Sequence, residues 1–140
     1  MVHALNEIRR VLAPDGVLLD LRPILDHWHV EVASARETRE TGRVQDFPMG
    51  LADDEAANKA MAEAERNGWF KREYEEFFSL YYSWDSASEI EEWIKEEWED
   101  FIGLDDETKR ATRSAWAVGD GDSRVRVRVK MLLTRWKAVK

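Results

Sequence analysis

The chain has 140 residues, of which 44% are hydrophobic and 36% charged. This fits a single domain over residues 1–140 with a buried core, and excludes disorder and collagen-like repeats. Cysteine is absent, which removes disulfides, thiolate catalysis, cysteine-ligated zinc and iron–sulfur clusters. The net charge of −8 argues against nucleic acid as a partner.

The first segment reads as a helix: Val2, Leu5, Ile8, Val11 and Leu12 recur at helical spacing, and Pro14-Asp15-Gly16 stops it. Val17-Leu18-Leu19-Asp20-Leu21 follows, apolar on both faces, as in a central parallel strand covered on each side. Arg22-Pro23 ends it. From Trp28 to Phe47 the alternation of Trp28, Val30 and Val32 with polar residues, then the threonines of 38–44, predicts a β-hairpin with its turn near Ala35–Glu37, closed by Pro48-Met49-Gly50.

A helix is expected from about Asp53 to Arg66, with Asp53 as its N-cap and a narrow stripe of Ala57, Ala60, Met61 and Ala64. Asn67-Gly68 stops it. From Trp69 to Trp84 the period becomes two, with Phe70, Tyr74, Phe78, Leu80, Tyr82 and Trp84 on one face, which predicts a long, half-buried strand. Ser86-Ala87-Ser88-Glu89 is a capping box. It opens an amphipathic helix through Ile90, Trp93, Ile94, Trp98, Phe101 and Ile102 that ends at Gly103. A shorter helix over about 105–118 turns Leu104, Thr108, Ala111 and Ala115 inward. The last element is a strand from Arg124 to about Lys137, with Val125, Val127, Val129, Met131 and Leu133 on one face and Arg124, Arg126, Arg128 and Lys130 on the other. The order of elements is that of an α/β or α+β protein.

Charge is unevenly spread. Residues 89–107 hold ten acidic groups and one basic, and residues 124–140 hold seven basic groups and no acidic one. The plainer reading is internal complementarity, an acidic helix beside a basic strand or a neighbouring subunit. The sharper one is a basic strand that grips a phosphate-bearing partner. No apolar run is long enough for a signal peptide or a membrane span, so a cytoplasmic protein with no membrane partner is expected.

Residues Ala4-Leu5-Asn6-Glu7-Ile8-Arg9-Arg10-Val11-Leu12-Ala13-Pro14-Asp15-Gly16-Val17-Leu18-Leu19-Asp20 resemble a late segment of class I S-adenosylmethionine-dependent methyltransferases. There a helix carrying Leu-x-Glu-x-x-Arg-Val-Leu runs into Pro-x-Gly and the fifth strand of a Rossmann-like sheet. That family usually has Pro-Gly-Gly, and here Asp15 replaces the middle glycine. The resemblance implies that residues 53–66 are the next helix, 69–84 the sixth strand and 124–137 the antiparallel seventh. The hairpin at 28–47 and the helices at 86–118 would be insertions. The fold it implies is α/β: a truncated Rossmann-like methyltransferase sheet, mixed, with antiparallel edge strands.

The family's cofactor elements are the glycine-rich loop after the first strand and the acidic residue that holds the ribose hydroxyls. They have no counterpart here. The only Gly-x-Gly, Gly119-Asp120-Gly121, follows a helix and precedes a strand. The chain therefore resembles the C-terminal half of a methyltransferase, and no S-adenosylmethionine binding or catalysis is expected of it alone. Two functions follow. One is part of a methyltransferase system, as a fragment of a longer gene or as a subunit completed by a cofactor-binding partner chain. The other is a non-catalytic binding or assembly module. With no fourth strand, the fifth has a bare edge, which the hairpin covers or a second copy pairs with; a homodimer is expected.

Ligands of open α/β sheets sit beyond the carboxyl ends of the strands. That rule marks Asp20, Arg22, Asp26, His27 and Trp28 as a substrate-side pocket; the plainer reading makes Arg22 and Asp26 solvated and Trp28 core. His27 and His29 share a face if both lie on a strand, and would be a metal pair wanting a third ligand, with Asp26 and Glu31 nearby. No catalytic residue is assigned.

Overall fold

Helix α1 (Val2–Val11) leads through a tight turn into strand β1 (Val17–Pro23). The computed structural model describes all residues, 1–140. The chain goes on through β2 (His29–Ala33), β3 (Thr38–Arg43), β4 (Gln45–Asp46), α2 (Pro48–Arg66), β5 (Phe70–Trp84), α3 (Ala87–Trp93), a π-helical turn (Ile94–Trp98), β6 (Ile102–Gly103), α4 (Asp106–Ala117) and β7 (Arg124–Ala138). This is an α/β protein with a mostly antiparallel sheet and four helices. No helix is long and apolar enough to cross a membrane. The chain divides into two compact units: residues 1–24, 52–78 and 131–140, and residues 25–51 and 79–130.

In the first unit, β1 runs antiparallel to the C-terminal part of β7, from Val17 opposite Lys137 to Pro23 opposite Met131. Helices α1 and α2 supply Leu5, Ala60, Met61 and Ala64 to a core that closes on Phe70, Trp136 and Ala138. Ala60, Met61 and Ala64 of the stripe read from the sequence are all buried there. Gly68, at φ 69°, ends α2 in the left-handed conformation that glycine adopts without steric cost.

Three expectations change here. The segment Val17–Leu21 is not a central parallel strand: its one partner, β7, is antiparallel, and Leu19 and Leu21 are 62% and 57% exposed. Its second apolar face stays largely exposed. Helix α2 begins at Pro48 rather than Asp53. Pro48 stands at the first helical position, where its missing N–H costs no bond and its fixed φ suits the helix. Strand β5 has the predicted span, but residues 71–83 are exposed throughout. It pairs with β7 alone; Phe70 enters the first unit's core and Tyr82 and Trp84 meet Trp98, while Phe78 and Leu80 stay exposed.

In the second unit, β2 pairs antiparallel with both β3 and the N-terminal part of β7. The hairpin forms as predicted, closed where Ser34 N–H donates to the Glu37 carbonyl. It pairs with β7, and β1 has β7 as its one strand partner. Val30, Val32, Val125, Val127 and Val129 are buried on one face of these strands. Helix α4 lies on β3 at Gly42, where a Cβ would collide with Thr108. The Thr41 and Thr112 hydroxyls meet there at 2.7 Å, and Thr112 also donates to the Thr108 carbonyl.

Asp105 caps α4 by accepting from the Thr108 amide at 2.7 Å. Ser86 caps α3 as predicted, while Glu89 reaches back to the amide of Asp85. The helix expected to continue to Gly103 is instead broken: α3 passes into the π-helical turn, and Gly103 lies in β6 paired to β4.

Strand β5 runs antiparallel to β7, as contacts within each unit show. Glu73 pairs with Arg135 and Arg72 lies over Trp136; Tyr81 lies under Arg126 and Asp85 pairs with Arg124. The basic strand is neutralised, but not by the acidic helix. Its carboxylates come from Glu31, Asp26 and Asp85 in one unit and Glu73 and Asp15 in the other. Glu91 of the acidic stretch binds Arg113 of α4.

Candidate functional site

Asp20 and Arg22 belong to the first unit. Two residues apart on β1, they point to the same face, and Arg22 Nε donates to Asp20 Oδ1 at 2.9 Å. Arg22 Nη2 also donates to Asn58 Oδ1 of α2 at 3.1 Å. Arg22 is therefore a largely covered strand residue, with 19% of its side chain exposed, and not a solvated loop residue. Two buried atoms of the pair, Asp20 Oδ2 and Arg22 Nη1, have no hydrogen-bond partner. Most buried polar atoms are paired, so an acceptor and a donor left over on one strand are unusual.

Asp26, His27 and Trp28 belong to the second unit, at the entry to β2. Asp26 Oδ2 binds Lys130 Nζ at 2.9 Å. That hydrogen bond, with the lysine's charge, holds the Asp26 carboxyl below its usual range. His27 has φ 47°, a left-handed conformation uncommon outside glycine. Asp46 secures it by accepting from the His27 amide at 3.0 Å, and His27 Nδ1 lies 3.2 Å from the Val44 carbonyl oxygen. Trp28 is buried, edge-on to Trp98 at 6.0 Å between ring centroids; it is a core residue.

The two histidines face different partners: His29 Nδ1 bonds to Glu40 on β3, while His27 turns to Val44 and Asp46. Only His29 lies on the strand, so the same-face geometry that the pair would need to share a metal is not formed. No group of three His, Asp or Glu residues is placed to hold a metal ion.

Sequence reasoning passed over two features of the second unit. Glu31 is buried against Arg126 at 2.7 Å and Arg128 at 3.4 Å. Its position directly across β2 from Arg126 follows from register, which a single sequence does not fix. The other is an aromatic cluster in which Trp98 meets Trp28, Tyr82, Trp84 and Trp93 at 5.2–6.3 Å. Trp98 meets all four rings edge-on.

An open cleft of about 470 Å³ lies beside the π-helical turn, floored by Phe47, Ile94, Ile102 and Leu104 and rimmed by Glu92, Glu99, Lys95 and Lys109. None of the residues marked from the sequence lines it. In comparisons with family models, with curated proteins and with solved structures, nothing matches this chain.

Proposed function

We propose that the chain is methyltransferase-like, akin to the C-terminal half of class I S-adenosylmethionine-dependent enzymes, and that alone it neither binds the cofactor nor transfers a methyl group. The observation that carries this reading is the turn between α1 and β1. Asp15, which replaces the middle glycine of the resembled Pro-Gly-Gly, has φ 62°. This is the left-handed conformation for which glycine is the default, and aspartate is among the few side chains that tolerate it.

The elements beyond the turn follow the order the resemblance implies. Helix α2 precedes β5 in the place of the sixth strand, and β7, in the place of the seventh, is antiparallel to β1. On this reading the sheet is the distal part of a Rossmann-like sheet, the hairpin β2–β3 and helices α3 and α4 are insertions, and Asp20 and Arg22 stand on its substrate side. Methyl transfer would require a cofactor-binding partner chain to supply the glycine-rich loop and the ribose-binding carboxylate.

Calorimetric titration of the purified 140-residue chain with S-adenosylmethionine tests this. No binding is expected up to about 1 mM ligand, and a dissociation constant in the micromolar range would overturn the reading.

A further inference from the structure

We propose that β1 pairs antiparallel with β1 of a second copy, across a two-fold axis at Leu21. The strand has a neighbour on one side only, β7. Its other edge therefore presents unpaired backbone N–H and C=O groups up to Pro23, which offers a carbonyl only, a template for another strand. Val17, Leu19 and Leu21 on its open face are 38%, 62% and 57% exposed, an apolar row that a solvent-facing edge strand ordinarily avoids.

The sequence of the strand chooses the occupant. In a two-fold antiparallel pair, residues directly opposite one another share a face, so the axis passes through a residue position. With the axis at Leu21, Leu21 meets Leu21 and Leu19 meets Pro23 on the open face. On the other face each Asp20 stands opposite the second copy's Arg22. The carboxylates and guanidiniums then alternate in a square of four, with no like charges opposed.

The strand is thus complementary to itself in charge and in apolar side chains. This proposal concerns the chain alone and stands independently of its relation to methyltransferases.

The absence of cysteine makes the test direct. Directly opposed residues of an antiparallel pair lie about 4.5–5.5 Å apart at Cα, within disulfide range. Leu21→Cys should therefore cross-link to a dimer under mild oxidation, and Leu19→Cys, opposite Pro23, should cross-link at least tenfold more slowly. In sedimentation, the wild-type chain should be dimeric at about 100 μM. Leu21→Lys, which sets two like charges at the axis on an already exposed position, should raise the dissociation constant at least tenfold while leaving the circular dichroism spectrum of the fold unchanged. A wild-type monomer at that concentration would overturn the proposal, as that edge would then await a different partner. So would unchanged association of Leu21→Lys, or equal cross-linking at positions 19 and 21.

Discussion

Glu31 on β2 lies directly opposite Arg126 on β7 and binds its guanidinium at 2.7 Å, while Arg128 approaches the other carboxylate oxygen at 3.4 Å. Glu31 is 5% exposed; the two arginines keep part of their side chains in water. Removing one partner of a fully buried pair costs about 3–5 kcal/mol, because the remaining charge is stranded. Here water relieves the arginines, so Glu31→Ala should cost about 2 kcal/mol in chemical denaturation. In a double-mutant cycle with Arg126→Ala the two losses should not add, since each removes the same contact. Additive losses would mean that Glu31 is held by its backbone alone.

The turn at Asp15 supplies a second expectation. A non-glycine residue in the left-handed region costs roughly 1–2 kcal/mol. Aspartate offsets part of that cost, and here its carboxylate also meets Lys137 at 3.1 Å on the surface. Alanine has neither compensation, so Asp15→Ala should lower stability by about 1 kcal/mol. Asp15→Gly loses the exposed ion pair, worth little, but removes the strain, and should match or exceed the wild type in thermal melting. If both variants melt alike, the turn does not demand a left-handed residue.

Much of this fold is legible from period alone. The alternation of Val125, Val127 and Val129 with Arg126 and Arg128 gives the strand and its buried face, because side-chain direction along a strand is local. Local chemistry likewise gives the cap at Ser86. What period cannot give is the covering layer. Val17–Leu21 and Phe77–Tyr82 carry apolar side chains on both faces, yet they lie where the sheet ends, with much of that surface open. Hydrophobicity records what a segment is suited to bury, and the neighbour that would bury it is not written in the segment. The candidate site shows the same division. Asp20 and Arg22 share a face by simple alternation, whereas the partners of Asp26 and His27 lie 104 and 19 residues away.

Trp98 is the hub of the aromatic cluster, in contact with four other rings. It stands at the last position of the π-helical turn, where the wider helix changes which residues face the core. Truncating a large packed aromatic costs about 3–5 kcal/mol when fully buried. Trp98 keeps some exposure, so Trp98→Ala should cost about 3 kcal/mol and abolish the near-ultraviolet dichroism of coupled indoles. Trp93→Ala, at a residue 39% exposed with fewer ring partners, should cost less than half as much. Equal losses would show that the cluster has no centre.

The Asp26–Lys130 contact gives a pH dependence whose sign follows from its cause. The hydrogen bond and positive charge of Lys130 lower the Asp26 pKa, assisted by His27 and Arg43 and opposed by partial burial. A carboxylate whose folded pKa is depressed stabilises the fold above its unfolded pKa of about 3.9, and that contribution disappears as pH falls through the folded value. Both side chains are substantially exposed, at 60% and 39%, so the contribution should stay below about 1 kcal/mol. Carboxyl chemical shifts followed by NMR should place the Asp26 midpoint below that of an unpaired aspartate. In Lys130→Met the midpoint should rise, because the largest lowering influences are gone while the burial that opposes them remains. The stability difference between the two proteins should be present at neutral pH and vanish in acid, below the folded midpoint. A midpoint unmoved by Lys130→Met would show that the ion pair does not form in solution.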